Sequence, residues 1–200
     1  MRQHIVILLF NNVEVLDFAG PFEVFTAANQ LLGGDRFNVC TAAALPGTVI
    51  ARHGLKIVPD HTLENCPAPA VLVIPGGAGI RPLLNQPALL EWIRVRARRA
   101  RLVMSVCTGA LVLARTGLLD GLRVTTHHEN LDELAQLAPT ATVDATARFH
   151  DNPGLHASGR ILTAAGISAG LDCALHAVSL LAGPATAAAT AHYLEYNPGR

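Results

Sequence analysis

Residues 105–121 read SVCTGALVLARTGLLDG, a strand-like tail that runs straight into a helical repeat and stops at glycine. Ser105 and Val106 close the apolar run Leu102–Val106, which reads as a strand buried on both faces. Gly109–Thr116 follows as a helix, with Gly117 placed to end it. Cys107 stands at the junction. A sharp strand-to-helix turn lifts its central side chain above the sheet and turns the first N–H groups of the new helix toward it. The usual form of such an elbow has glycine two residues to either side. Here Gly109 fills the downstream position and Ser105 the upstream one. Free cysteine also packs as a small buried hydrophobe, so the turn admits two readings, filler or nucleophile. The nucleophile reading predicts a thiol whose pKa is lowered from ~8.5 by ~2 units at the helix N-terminus, and so mostly thiolate at neutral pH.

Working outward from the elbow, strands and helices alternate. Ile5–Phe10, Phe37–Ala43 and Ala70–Ile74 read as strands, and Pro21–Leu32 and Pro87–Ala100 as helices. Val49–Val58, broken by His53-Gly54, reads as a small hairpin. Beyond the elbow come a short strand at Arg123–Thr126, a helix at Asn130–Leu137 and a strand at Arg160–Thr163. A long helix follows at Ser168–Leu181, and Pro184 starts the last one. This pitch predicts a single α/β domain over residues 1–200, a mostly parallel sheet with helices on both faces. In such sheets ligands bind beyond the carboxyl ends of the strands. Four segments leave strands at that rim: the loop holding Asp17, the Gly76-Gly77 turn, the Cys107 turn and His127-His128.

Composition narrows the function. Fifteen basic and fifteen acidic residues give no net charge, so nothing draws the chain as a whole to nucleic acid or an anionic membrane. Arg94, Arg98 and Arg101 fall on one face of their helix and read as solvated. No apolar stretch approaches the ~18 residues of a membrane span, and the run Ile5–Phe10 is too short for a signal peptide. The cysteines at 40, 66, 107 and 173 form no C-x-x-C pair, which reads as reduced thiols in a cytoplasmic protein with no zinc site.

Other residues bear on chemistry. PGGAG, residues 75–79, matches neither a dinucleotide fingerprint nor a P-loop, but Gly76 and Gly77 let backbone approach a ligand and offer N–H donors to developing negative charge. Asp17, in VEVLDFAGPFEVF, either helps to cap the helix beginning near Pro21 or acts as an acid with a raised pKa among apolar neighbours; Glu14 is the competing carboxylate. His127 reads as a residue lining the site or as a base, and His128 equally as a surface loop residue. Asp172 reads as compensating the dipole of its helix.

AGPFEVF, LVIPGGAGIRPLL, SVCTGALVLARTGLLDG, TTHHENLDEL and TAAGISAGLD occur in this order, and together they resemble the ThiJ/PfpI superfamily over roughly residues 4–197. That superfamily is similar in fold to class I glutamine amidotransferase domains. The C-T-G elbow with L-D-x-x-G-P points to the branch that contains isonitrile hydratase and the sensor domains of AraC-type regulators. The resemblance implies a flavodoxin-like three-layer sandwich, usually dimeric, with no metal or organic cofactor. A mean hydropathy of +0.35 also suits a homodimer. The resemblance further implies a working trio of Cys107, Thr108 and Asp17. Protease-like members carry histidine where Thr108 stands, and many members carry glutamate where Asp17 stands.

The reaction implied is addition of water to an isocyanide, giving an N-substituted formamide through a thioimidate on Cys107. Asp17 would move the protons, Thr108 and Gly77 would orient the adduct, and His127 would line the pocket. Two other functions fit the resemblance: a small-molecule sensor without turnover, or a cysteine enzyme acting on reactive carbonyls. Sensor chains carry a helix-turn-helix module after this domain. The sequence here ends at Arg200, and its closing HYLEYNPG is closer to stand-alone hydratases.

Overall fold

Val71–Ile74 and Leu102–Val106 are apolar without alternation because the sheet they enter is covered on both sides, and every residue of both strands is buried. In a computed structural model that describes residues 2–156 and 159–198, the chain begins β1 (Gln3–Leu9), α1 (Val15–Leu31), β2 (Phe37–Ala43), β3 (Val49–Ile50), β4 (Lys56–Ile57), β5 (His61–Thr62) and β6 (Val71–Ile74). It continues with α2 (Ile80–Leu83), α3 (Pro87–Ala97), β7 (Leu102–Val106), α4 (Gly109–Arg115), β8 (Arg123–Val124), α5 (Leu131–Leu137) and β9 (Thr142–Val143). The last elements are β10 (Phe149–His156), β11 (Gly159–Ala164), α6 (Ala169–Ala182) and α7 (Pro184–Tyr193).

The main sheet has the order β10-β11-β7-β6-β1-β2-β5. All its pairs are parallel except β10–β11 at the edge. Helices α1, α6 and α7 pack on one another over one face, and α4 covers β6 and β7. The three-layer α/β fold and its mostly parallel sheet are those expected from the sequence. The fully buried Ile5, Ile7, Leu72, Ile74, Leu102 and Met104 form its centre, each such burial contributing ~1.5–3 kcal/mol. The carboxyl ends of β1, β6, β7 and β11 therefore meet along one rim, where the site is built.

Three local expectations change, and one strand is unexpected. Helix α1 starts at Val15, with Pro21 inside it. Pro21 lacks the N–H that would reach the Asp17 carbonyl, but burial of Phe18, Val24, Phe25 and Ala28 carries the helix through. Asp17 thus lies in the first helical turn rather than in a loop. Helix α3 ends at Ala97, so Arg101 is off it and its N–H bonds the Ala70 carbonyl; the arginines do not share one helical face. Strand β8 is outside the main sheet, paired in parallel with β9, so His127-His128 reach the rim from a separate ribbon. Strand β10 has no apolar signature, since its sequence contains Asp151, Asn152 and Pro153, and an edge strand tolerates them. The hairpin at Val49–Val58 is present as β3 and β4, closed through a 3₁₀ turn at Arg52–Gly54. Among the described residues no helix is long and apolar enough to cross a membrane.

Candidate active site

Cys107 takes a left-handed backbone, φ +55°, a conformation that costs a non-glycine residue ~1–3 kcal/mol and is held only by its surroundings. Those surroundings are specific. The Cys107 N–H donates to the carbonyls of Ala164 (3.2 Å) and Ala165 (3.0 Å), and Thr126 Oγ1 donates to the Cys107 carbonyl at 2.7 Å. Two residues on, the α4 backbone crosses the end of β6 so closely that a Cβ on Gly109 would come 2.1 Å from the Ile74 carbonyl oxygen. The elbow needs glycine there.

Asp17 is fully buried behind the cysteine. The Gly76 N–H donates to its Oδ2 at 3.0 Å, while Oδ1 has no hydrogen-bond partner among the described residues. Burial pushes its pKa up to about 7; the Gly76 bond opposes the rise, the Glu14 charge adds to it, and the Cys107 thiol lowers it. Gly77 N–H donates to Thr108 Oγ1 at 3.0 Å. Both glycine N–H groups are thus spent on side chains, on the acid and on the threonine. They are not left free as donors for an adduct, and Gly76 does not line the cleft. A Cβ on Gly76 would lie 2.6 Å from Thr108 N and Oγ1, so this turn is what seats acid and threonine together.

The thiol departs from the expected low pKa. Burial, then the charge of Asp17, push Cys107 up to about 12, against the N–H groups of Thr108 and Ile167 and the Thr108 side chain. A helix of seven residues does not outweigh both effects. Acid and thiol are one coupled pair, and their protons belong to the pair. Ile167 escapes a sequence reading: it follows β11 with φ +51°, a conformation a β-branched residue rarely takes. Its only sequence mark is its place between Gly166 and Ser168 in GISAG.

Above the pair opens a cleft of about 190 Å³ lined by Cys107, Thr108, Gly77, His127 and Ile167, together with charged side chains. Arg52 donates to Glu14 at 2.8 Å on one wall, and Arg81 pairs with Glu133 on another. His127 accepts the Glu129 N–H at Nδ1 (3.4 Å) and packs on His128, ring centroids 4.2 Å apart. Asp172 is elsewhere: it pairs with Arg148 and accepts from Tyr196 at 3.0 Å beside an apolar pocket between α6 and α7. Among the described residues no three His, Cys, Asp or Glu side chains could hold a metal ion together.

A doubly wound, mostly parallel sheet with a cysteine at the elbow of an inner strand and a buried carboxyl beside it defines a class of α/β proteins. Residues 3–180 match the DJ-1/PfpI family, and the chain belongs to that family. It is 37% identical to isonitrile hydratase of Pseudomonas putida over 198 residues, covering 99% of this chain and 80% of that protein. It is 30% identical to the HTH-type transcriptional regulator GbdR of Pseudomonas aeruginosa, covering 88% of this chain but only 46% of the regulator. Among solved structures, a ThiJ/PfpI family protein from Pseudomonas syringae superposes with a TM-score of 0.86 at 30% identity, covering all of this chain and 77% of that one.

Proposed function

We propose that this protein is an isonitrile hydratase-like enzyme, acting in the cytoplasm as a homodimer without metal or organic cofactor. The observation that carries the reading is the juxtaposition of a strained, cleft-lining thiol with a fully buried carboxyl that keeps one oxygen unpartnered among the described residues. The likeness to isonitrile hydratase supports it. The reactive form of the pair holds one proton, on Asp17, with Cys107 as thiolate. Sulfur attacks the terminal carbon of R–N≡C, forming the C–S bond, and Asp17 delivers its proton to that carbon. The product is a thioimidate, Cys107–S–CH=N–R. The Asp17 carboxylate then takes a proton from water as the oxygen adds to the same carbon, and passes that proton to nitrogen. The remaining hydroxyl proton returns to Asp17 as the C–S bond breaks. R–NH–CHO leaves, and the one-proton pair is restored. Thr108, its Oγ1 fixed by Gly77, supports the sulfur through its N–H and hydroxyl. His127 lines the cleft.

Formamide formation from a panel of isonitriles tests the reaction, and light scattering at micromolar concentration tests the dimer; a monomer mass refutes the latter. The likeness to GbdR favours a second reading, a sensor domain. It predicts tight binding of a small molecule with no turnover and with little sensitivity to Asp17→Asn.

A further inference from the structure

Beyond the cleft lies a second pocket, of about 310 Å³, that shares two of its walls with the first: His127 and Ile167 line both. The two spaces differ in character. The cleft over Cys107 is bordered by Glu14, Arg52, Arg81 and Glu129. The neighbouring pocket has no Asp, Glu, Lys or Arg on its walls, which Leu131, Ala145 and Ala165 share with His128, Ser168 and the buried Thr125 and Thr126. His127, at the border of the two spaces, is held in place. A Cβ on Gly166 would come 2.5 Å from His127 Cδ2, so the ring lies directly over that backbone, held besides by its stacking on His128 and by the Glu129 N–H.

An isonitrile is linear, so the carbon that meets sulfur and the organic group behind it occupy different spaces. An alkyl or aryl group laid against Arg52, Arg81, Glu14 or Glu129 would strip water from charges and return no hydrogen bond. Placed past His127 it would meet leucine and alanine surface beside hydroxyl groups, with no carboxylate or guanidinium to strip of water. Resting on the hydratase reading, we infer that the pocket beyond His127 and Ile167 receives the substituent of the substrate. The enzyme then selects isonitriles with an uncharged, apolar organic group, and Leu131 and Ala145 determine the size accepted.

Ala145 is exposed at the lip, where a larger side chain narrows the pocket without entering the core. Ala145→Leu should lower the ratio of kcat/KM for benzyl isonitrile over methyl isonitrile about tenfold, the lower end for steric discrimination in an apolar pocket. Leu131→Ala should shift the same ratio in favour of still larger aryl groups. A ratio unchanged in both variants overturns the inference. If the wild-type protein hydrates neither compound, the hydratase reading fails, and the pocket is judged by labelling alone. N-benzylmaleimide and N-methylmaleimide then compete for Cys107. A benzyl-to-methyl rate ratio that falls in Ala145→Leu supports the subsite, and an unchanged ratio rejects it.

Discussion

The Gly76 N–H donates to Asp17 Oδ2 at 3.0 Å, and with the Cys107 thiol this backbone bond is what a fully buried carboxyl has to offset its loss of water. It does not suffice, which is why the Asp17 pKa rises to about 7 from an ordinary 3.8. A group whose folded pKa lies above its unfolded value favours folding fully at low pH, and that contribution is lost as pH rises through the folded pKa. Asp17 should therefore cost stability progressively between about pH 4 and pH 7. The neutral Asp17→Asn variant escapes the cost. Its advantage over wild type should be absent near pH 4 and reach roughly 3–5 kcal/mol above pH 7, at ~1.4 kcal/mol per unit. Thermal melts of both proteins at pH 4, 6 and 8 measure it; parallel curves contradict it.

The same substitution should move the thiol and the turnover in opposite directions. The Asp17 charge holds Cys107 up, so its removal should speed alkylation of Cys107 at pH 8 while hydration falls ~10²–10⁴-fold for want of a proton carrier. Peptide mapping after limiting alkylation should find label first at Cys107, since all four cysteines are buried and raised in pKa but Cys107 alone among them lines the cleft. Slower labelling in Asp17→Asn would mean that uptake of the thiol proton by the carboxylate outweighs the effect of its charge.

Because the reactive pair holds one proton, kcat/KM should rise with pH through about 7 as the first proton leaves, then level off. Glu14 contributes to that value through its charge, so Glu14→Gln should shift the rise to lower pH. A pH–rate profile of each protein decides the point. A profile that falls through pH 7 would place the working proton elsewhere.

Much of this was legible in the chain because the signals are local. The elbow is spelled by an apolar run, a thiol and Gly109; the parallel sheet is spelled by runs such as Val71–Ile74 with no polar alternation. What was hidden depends on contacts between distant segments. Pro21 punctuates the sequence but not the helix, because apolar burial overrides it, and only that displacement puts Asp17 inside a buried turn. The N–H groups of Gly76 and Gly77 look free until Asp17 and Thr108 are brought to them. The left-handed turn at Ile167 runs against its own side chain and cannot be read from it. Burial of Cys107, and after it the charge of Asp17, reverses the pKa expected of a thiol at a helix start.

Gly76→Ala tests how tightly acid and threonine are seated. Its Cβ has no room between Thr108 and Asp17 Oδ2, at 2.6 and 3.0 Å, so the turn must shift. Overpacking of this kind costs ~1–3 kcal/mol, and the displaced carboxyl should lower kcat more than it alters KM. Melting temperature and steady-state kinetics on the one variant measure both; unaltered kcat would show that the seating is loose.

The central claim is that Cys107 and Asp17 act together on an isonitrile carbon, and formamide release by wild type, Cys107→Ala, Asp17→Asn and the double variant measures it most directly. Wild type should form one formamide per isonitrile consumed, and Cys107→Ala should form none. The double variant should be no worse than Cys107→Ala alone, since residues of one mechanism are strongly non-additive. No formamide from aliphatic, cyclic or aromatic isonitriles, or undiminished formamide in Cys107→Ala, would contradict it.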